Sequence, residues 1–361
     1  MKKFLMKLFW LLPIMLFVVF VNWKQDPANL FRSEEYIGKI ASITLSGKQA
    51  TEVTNFDERN YLRKMISSLP VKPKTIVVGA SRSLMIDQGM GGDSSLYNAS
   101  LSGGSLEEIL AAYYLFRQAE VKPERVIISV DPWLLNDHYD SDLWKELEPE
   151  YLSCLEMIGA KEYVYEPVNE WSSSVYWELI SLSYFQESIQ RFVRGDTKDI
   201  VSTEQQFNDG ATKRCDGSYM YPIGYRGRSP EMVLRNAESE IAVKDVKGFE
   251  DFKVLSKKRK VIFQKLVSYM ASEGADVVLL FTPYHPITYD YFKRTPRYQV
   301  VFQADTYFRK LGKELPGVRC SGSYDPEYYH FDNTNFYDGV HCDYEAVGLI
   351  MEQLVQEGKK P

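Results

Sequence analysis

The segment Lys74–Leu84, read Lys-Thr-Ile-Val-Val-Gly-Ala-Ser-Arg-Ser-Leu, constrains the chain more than any other stretch. Ile76, Val77 and Val78 are consecutive β-branched residues, the pattern of a strand buried on both faces as in a parallel sheet. Gly79 and Ala80 then make an uncrowded corner, which presents the Ser81 hydroxyl above the sheet beside backbone N–H groups. Taken alone, the same residues also describe an ordinary strand-to-helix turn with Ser81 as N-cap.

A second stretch near the C-terminus gives that serine a chemical context. Asp338 and His341 stand three apart in Asp-Gly-Val-His, just ahead of a helix whose apolar positions are Val347, Leu349, Ile350, Met351 and Leu354. On a turn entering that helix, the carboxylate can hold the imidazole ring. A serine hydroxyl is a weak nucleophile until an oriented imidazole takes its proton, so Ser81, His341 and Asp338 form a chemically sufficient catalytic set.

Between these ends the pattern alternates. Leu106–Arg117 has a helical period with Ser105 as cap, Val126–Val130 reads as a buried strand, Lys257–Ser272 as a long helix and Ala275–Thr282 as another buried strand. This predicts an α/β fold, a three-layer flavodoxin-like parallel sheet, over residues 71–361. Residues 138 to about 255 break the alternation and are expected to be a helical insertion, either a lid over the site or a cover for one side of the sheet. Pro283-Tyr-His-Pro286 follows the last of these strands at its carboxyl end, where open α/β sheets place ligands. His285 is therefore a candidate substrate contact, with a structural imidazole as the alternative. Residues 26–70 form a polar, helical lead-in.

The first 25 residues carry Lys2, Lys3 and Lys7 ahead of the apolar run Leu8–Val21, interrupted by Pro13 and followed by no small-residue cleavage site. That pattern predicts an N-terminal transmembrane helix acting as an uncleaved signal anchor, with the rest of the chain extracytoplasmic on a single-pass cell-membrane protein; a cleaved signal peptide and then a soluble core helix are the alternatives. The formal net charge of −6 argues against nucleic acid or another polyanion as partner. The 25 tyrosines and 6 tryptophans offer faces on which sugars can stack, although most such rings serve packing. With four scattered histidines and no metal-type spacing, no metal site is expected, and no cofactor motif is present. The four cysteines, Cys154, Cys215, Cys320 and Cys342, leave three full pairings open, among which a Cys320–Cys342 bridge would brace the turn at His341.

On Gly79-Ala-Ser81 and Asp338-Gly-Val-His341, the chain resembles the SGNH (GDSL-like) hydrolases over roughly residues 70 to 355. The likeness is strongest to the membrane-anchored branch of extracytoplasmic polysaccharide O-acyltransferases and DltD-like proteins. The family's second block, whose glycine N–H helps form the oxyanion hole, is similar to Tyr97–Ser105, with Gly103 as the donor and Gly104 as the alternative. The third block, normally Gly-x-Asn-Asp after a strand, is replaced by Asp131-Pro-Trp-Leu-Leu-Asn-Asp137. Asn136 supplies the missing donor, or Asp131 occupies its position and contacts substrate, or the third donor is absent. The resemblance implies acyl transfer through a Ser81 ester, stabilised by the N–H groups of Ser81 and Gly103. It favours O-acetylation of a secreted or surface polysaccharide, the acyl group coming from a multi-pass membrane acyltransferase partner. A carbohydrate esterase with the same triad and a non-catalytic, membrane-tethered glycan-binding protein are the alternatives.

Overall fold

The computed structural model describes residues 2–139, 141–163, 175–194, 199–243, 246, 248–249 and 251–358, with no account of the side chains of the first eleven. At its centre lie β1 (Thr75–Val78), β2 (Leu96–Asn98), β3 (Arg125–Ser129), β4 (Asp276–Phe281) and β5 (Val318–Gly322). They form one parallel sheet in the order β2-β1-β3-β4-β5, the order of flavodoxin-like doubly wound sheets. The register sets Ile76 opposite Tyr97 and Val126, Val126 opposite Val277, and Val277 opposite Val318.

Because side chains alternate along a strand, two cores result. Ile76, Val78, Val126, Ile128, Val277, Leu279 and Phe281 face a large core shared with the helices Leu106–Gln118, Lys257–Ser272 and Gln299–Glu314. Val77, Ile127, Val278 and Leu280 face the other way, onto Ala346, Val347, Ile350, Met351 and Leu354 of the helix Tyr344–Glu357. Helices thus cover both faces, and the carboxyl ends of the strands stay open to the loops that carry function.

The lead-in is built into this body. Ile37, Ile40, Tyr61, Leu62 and Met65 belong to the large core. Arg59 reaches the buried Glu108 at 2.5 Å, and Glu108 also closes a capping box with Ser105 at the start of the helix Leu106–Gln118. Gln49–Thr51 pairs with Val201–Thr203 on one edge and Thr212–Lys213 on the other, and Tyr219–Met220 completes a small antiparallel sheet. Lead-in and insertion therefore hold each other.

The N-terminal expectation needs correction. A helix runs Lys2–Gln25, but among the described residues no helix is long and apolar enough to cross a membrane. Pro13 interrupts the apolar run, and near its end Asn22 is fully buried against the protein. The Asn22 amide donates to the carbonyls of Glu178, Leu179 and Ser181, while its oxygen accepts from Ser188 at 3.2 Å. Phe17 meets Phe185 edge-on. The second half of the helix is thereby packed on the segment 178–188, with Ile14, Leu16 and Phe20 left exposed. All four cysteines are free; Cys320 Sγ lies against Phe308 O and Cys342 Sγ against Pro283 O.

Asn98 ends β2 and ties it to the segment beyond Ser81, its amide donating to the carbonyls of Ser83, Leu84 and Ile86 at 2.7, 3.2 and 2.8 Å. Leucine in its place removes the donors from buried carbonyls, so Asn98→Leu is expected to lower stability by about 1–3 kcal/mol in urea unfolding. Unchanged stability would show that these bonds are dispensable.

Candidate active site

Ser81 owes its position to the lack of side chains around it. A Cβ on Gly79 would come within 2.6 Å of Ser129 Cβ and 2.7 Å of Ser83 Oγ, so only glycine fits where β1 ends. Ala80 is extended, and Ser81–Ser83 turn into a single 3-10 turn closed by Ser83 N–H to Ala80 O at 3.1 Å. The N–H of Ser81 opens that turn and has no acceptor within it. Ser83 Oγ and Ser100 Oγ, 2.8 Å apart, join the turn to the loop after β2.

The opposite wall is the loop Phe336–Cys342, pinched shut by a bridge between its ends and by Tyr337 N–H to His341 O at 2.9 Å. Asp338 Oδ1 accepts the backbone N–H groups of Val340 and His341 at 2.9 and 2.8 Å, a turn that aspartate forms with its own following backbone. Gly339 has to be small, since a Cβ there would sit 2.3 Å from Glu240 Oε2 and 2.8 Å from Thr288 Oγ1. Asp343 then caps the helix Tyr344–Glu357 through Ala346 N–H at 2.7 Å.

These two walls bring the predicted set together. Ser81 Oγ lies 2.8 Å from His341 Nε2, and His341 Nδ1 lies 2.9 Å from Asp338 Oδ2 and 3.1 Å from Oδ1. Burial alone would raise the Asp338 carboxyl, but the facing His341, the Tyr225 hydroxyl and the Val340 N–H outweigh it and hold it well below the usual carboxylate range. An ionised Asp338 keeps the proton on Nδ1, which leaves Nε2 free to accept from Ser81. The arrangement can deprotonate Ser81 and stabilise the imidazolium that results.

Other residues named from the sequence have different settings. Gly104 N–H is committed to Leu101 O at 3.0 Å, and a Cβ on Gly104 would strike Gly79 O, so this glycine seats the loop against the Ser81 corner. Gly103, with φ +64° and its carbonyl accepting from Tyr139 Oη at 2.8 Å, remains the candidate oxyanion donor. Asn136 is buried after the turn Pro132–Leu135, its Oδ1 accepting from His138 N–H at 3.0 Å. Asp131 is not a surface group but half of a buried ion pair, 2.8 Å from Arg82 Nη1. His285 is also wholly buried: its Nδ1 caps the helix Pro286–Arg294 through Ile287 N–H, and its backbone N–H holds Gly339 O. Burial lowers the His285 imidazole to about 4, so it stays neutral and supports the loop Phe336–Cys342. Among the described residues no cluster of His, Cys, Asp and Glu could hold a metal ion.

Two residues escaped the sequence reading. Arg82, next to Ser81, is buried and donates to Asp131 Oδ1, to Val340 O at 3.1 Å, and to the carbonyls of Thr282 and Pro283. Its guanidinium also lies 3.8 Å over the Tyr284 ring. Oppositely charged residues at the ends of neighbouring buried strands were a readable signal for the pair. Tyr225, from the insertion, donates to Asp338 Oδ2 and stands 3.2 Å from His341 Nδ1. Nothing in its polar surroundings marked it.

No protein-family model matches the chain, and no curated protein is significantly similar to it.

Arg82→Met leaves Asp131 buried without its cation and is expected to cost about 3–5 kcal/mol in denaturant unfolding. Adding Asp131→Leu should recover much of the loss. A single-variant loss under about 1 kcal/mol would show that the pair contributes little.

Proposed function

We propose that this chain is a serine-dependent acyl-transfer enzyme of the SGNH type, acting most readily as an O-acetyltransferase on an extracytoplasmic polysaccharide. One observation carries the reading: the unbroken path from Ser81 Oγ through His341 to Asp338, at 2.8 and 2.9 Å. In the reaction, His341 Nε2 takes the Ser81 proton as Oγ attacks the ester carbonyl carbon. The oxyanion that forms accepts the N–H groups of Ser81 and Gly103. Collapse breaks the ester C–O bond, His341 returns the proton to the leaving oxygen, and the acyl group stays on Ser81. An acceptor hydroxyl, deprotonated in turn by His341, then attacks the acyl-enzyme and frees Ser81.

The glycan acceptor rests on the resemblance; a cleft of about 570 Å³ borders the loop before Gly103 at Ser102, but none of Ser81, Asp338 and His341 lines it. The resemblance adds a membrane-bound acyltransferase as the source of the acyl group.

The test compares the native full chain with Ser81→Ala on p-nitrophenyl acetate, with and without oligosaccharide acceptors, following acetylated sugar by mass. Native turnover should yield acetylated sugar and fall roughly 10³-fold or more in the variant. Acetate without acetylated sugar would assign an esterase. Equal turnover by both proteins would overturn serine catalysis here.

A further inference from the structure

Tyr225 reaches the site from outside the sheet. It lies on the short helix Ile223–Arg226 within the insertion, held by Arg226, whose Nε donates to Tyr221 O and whose Nη2 donates to Asn208 O, both at 2.6 Å. Its ring packs 4.8 Å from Tyr221 and 5.4 Å from Tyr337. The Arg228 guanidinium lies 4.2 Å over its face, and Arg228 also donates to Tyr337 O at 3.2 Å. The phenol is thus clamped from three sides with its hydroxyl on Asp338 Oδ2.

Resting on the acyl-transfer reading above, we infer that Tyr225 is a positioning residue for His341, its hydroxyl sharing Asp338 Oδ2 with His341 Nδ1 and fixing the angle at which the imidazole meets Ser81. A carboxylate oxygen that accepts two donors holds each in a defined direction. Burial first, and then the facing Asp338, push the Tyr225 phenol well above its usual range, so it stays a proton donor at any working pH. By taking up part of the Asp338 charge, it also limits how strongly that carboxylate favours the imidazolium. The insertion then completes the catalytic pair as well as covering it.

Among the described residues, the groups facing His341 besides Ser81, Asp338 and Tyr225 include Tyr221, with its ring 6.1 Å away, and the Asp131 and Glu240 carboxyls, which lie near enough for an imidazolium charge to lower them. Arg228 bears on Tyr225. Burial, followed by the nearby Asp338, raises Glu240 to about 7, so its titration is the one to separate from that of His341.

The experiment titrates the full-length chain by NMR with labelled histidine. Four histidines are few enough to assign, and His341→Gln identifies the resonance of interest. Glu240→Gln in both backgrounds removes the neighbouring carboxyl. In Tyr225→Phe, which keeps the ring and loses only the hydroxyl, His341 should titrate roughly half a unit or more higher than in the native chain. Its kcat for Ser81-dependent ester turnover should fall about tenfold with KM little changed, since only alignment in the transition state is lost. Tyr337→Phe removes a neighbouring hydroxyl that accepts Tyr344 N–H at 3.1 Å, and should leave the His341 titration where the native chain has it. An unaltered His341 titration in Tyr225→Phe, or an equal shift in Tyr337→Phe, would overturn the inference. Absence of any Ser81-dependent turnover in the native chain would instead defeat the functional reading, with the His341 titration still deciding the role of Tyr225.

Discussion

The buried ion pair between Arg82 and Asp131 is the joint on which the site turns. Both side chains are about 1% exposed, and the guanidinium spends its donors on four acceptors from three separate stretches of chain. Asp131 follows β3, Thr282 and Pro283 follow β4, and Val340 lies in the loop Phe336–Cys342. A charge taken from water is tolerated only when partners face it; four acceptors meet Arg82 in this arrangement, while the second Asp131 oxygen has no hydrogen-bond partner among the described residues. Because Arg82 adjoins Ser81, that arrangement also locates Ser81 relative to the loop that carries His341.

Around that joint, small residues set the distances. Gly79, Gly104 and Gly339 each stand where a single added carbon would crowd a neighbour: the Ser129 and Ser83 side chains, the Gly79 carbonyl and the Glu240 carboxylate in turn. Close approach of backbone to backbone lets the Ser81 corner, the Leu101–Gly104 loop and the Asp338–His341 turn crowd into one place above the sheet. The polar cluster beneath His341 then orients rather than reacts. His285 N–H, Val340 N–H and the Tyr225 hydroxyl all act on the loop or its carboxylate, and the imidazole keeps only one free nitrogen, the one facing Ser81.

Much of this was legible because it follows from local rules. Ile76–Val78 reads as a two-sided strand since three β-branched residues in a row put apolar side chains on both faces, and Ser105 reads as the cap of the helix after it, where the structure adds Glu108 to make a capping box. Asp338 and His341 were legible because their pairing is local, three residues apart on one turn. What stayed hidden depends on tertiary partners. Tyr225 is one tyrosine among many, singled out only when the insertion folds back on Asp338. Asp131 and His285 looked like ligand contacts at strand ends, but burial made them an ion-pair partner and a helix cap. Three lysines ahead of the apolar run Leu8–Val21 suggested a membrane span, whereas the contacts of Asn22 with residues 178–188 belong to the fold. The lead-in gave no periodic signal for its strand Gln49–Thr51, whose partners lie 150 or more residues away.

The central claim is that Ser81 is a nucleophile activated by His341. Its most direct test is the reaction of the full-length chain with a fluorophosphonate, which phosphonylates an activated serine with loss of fluoride, read by intact mass and peptide mapping. The account predicts one adduct per chain, placed on Ser81, and its loss in His341→Gln. A chain that stays unmodified, or one modified elsewhere with Ser81 intact, would contradict it.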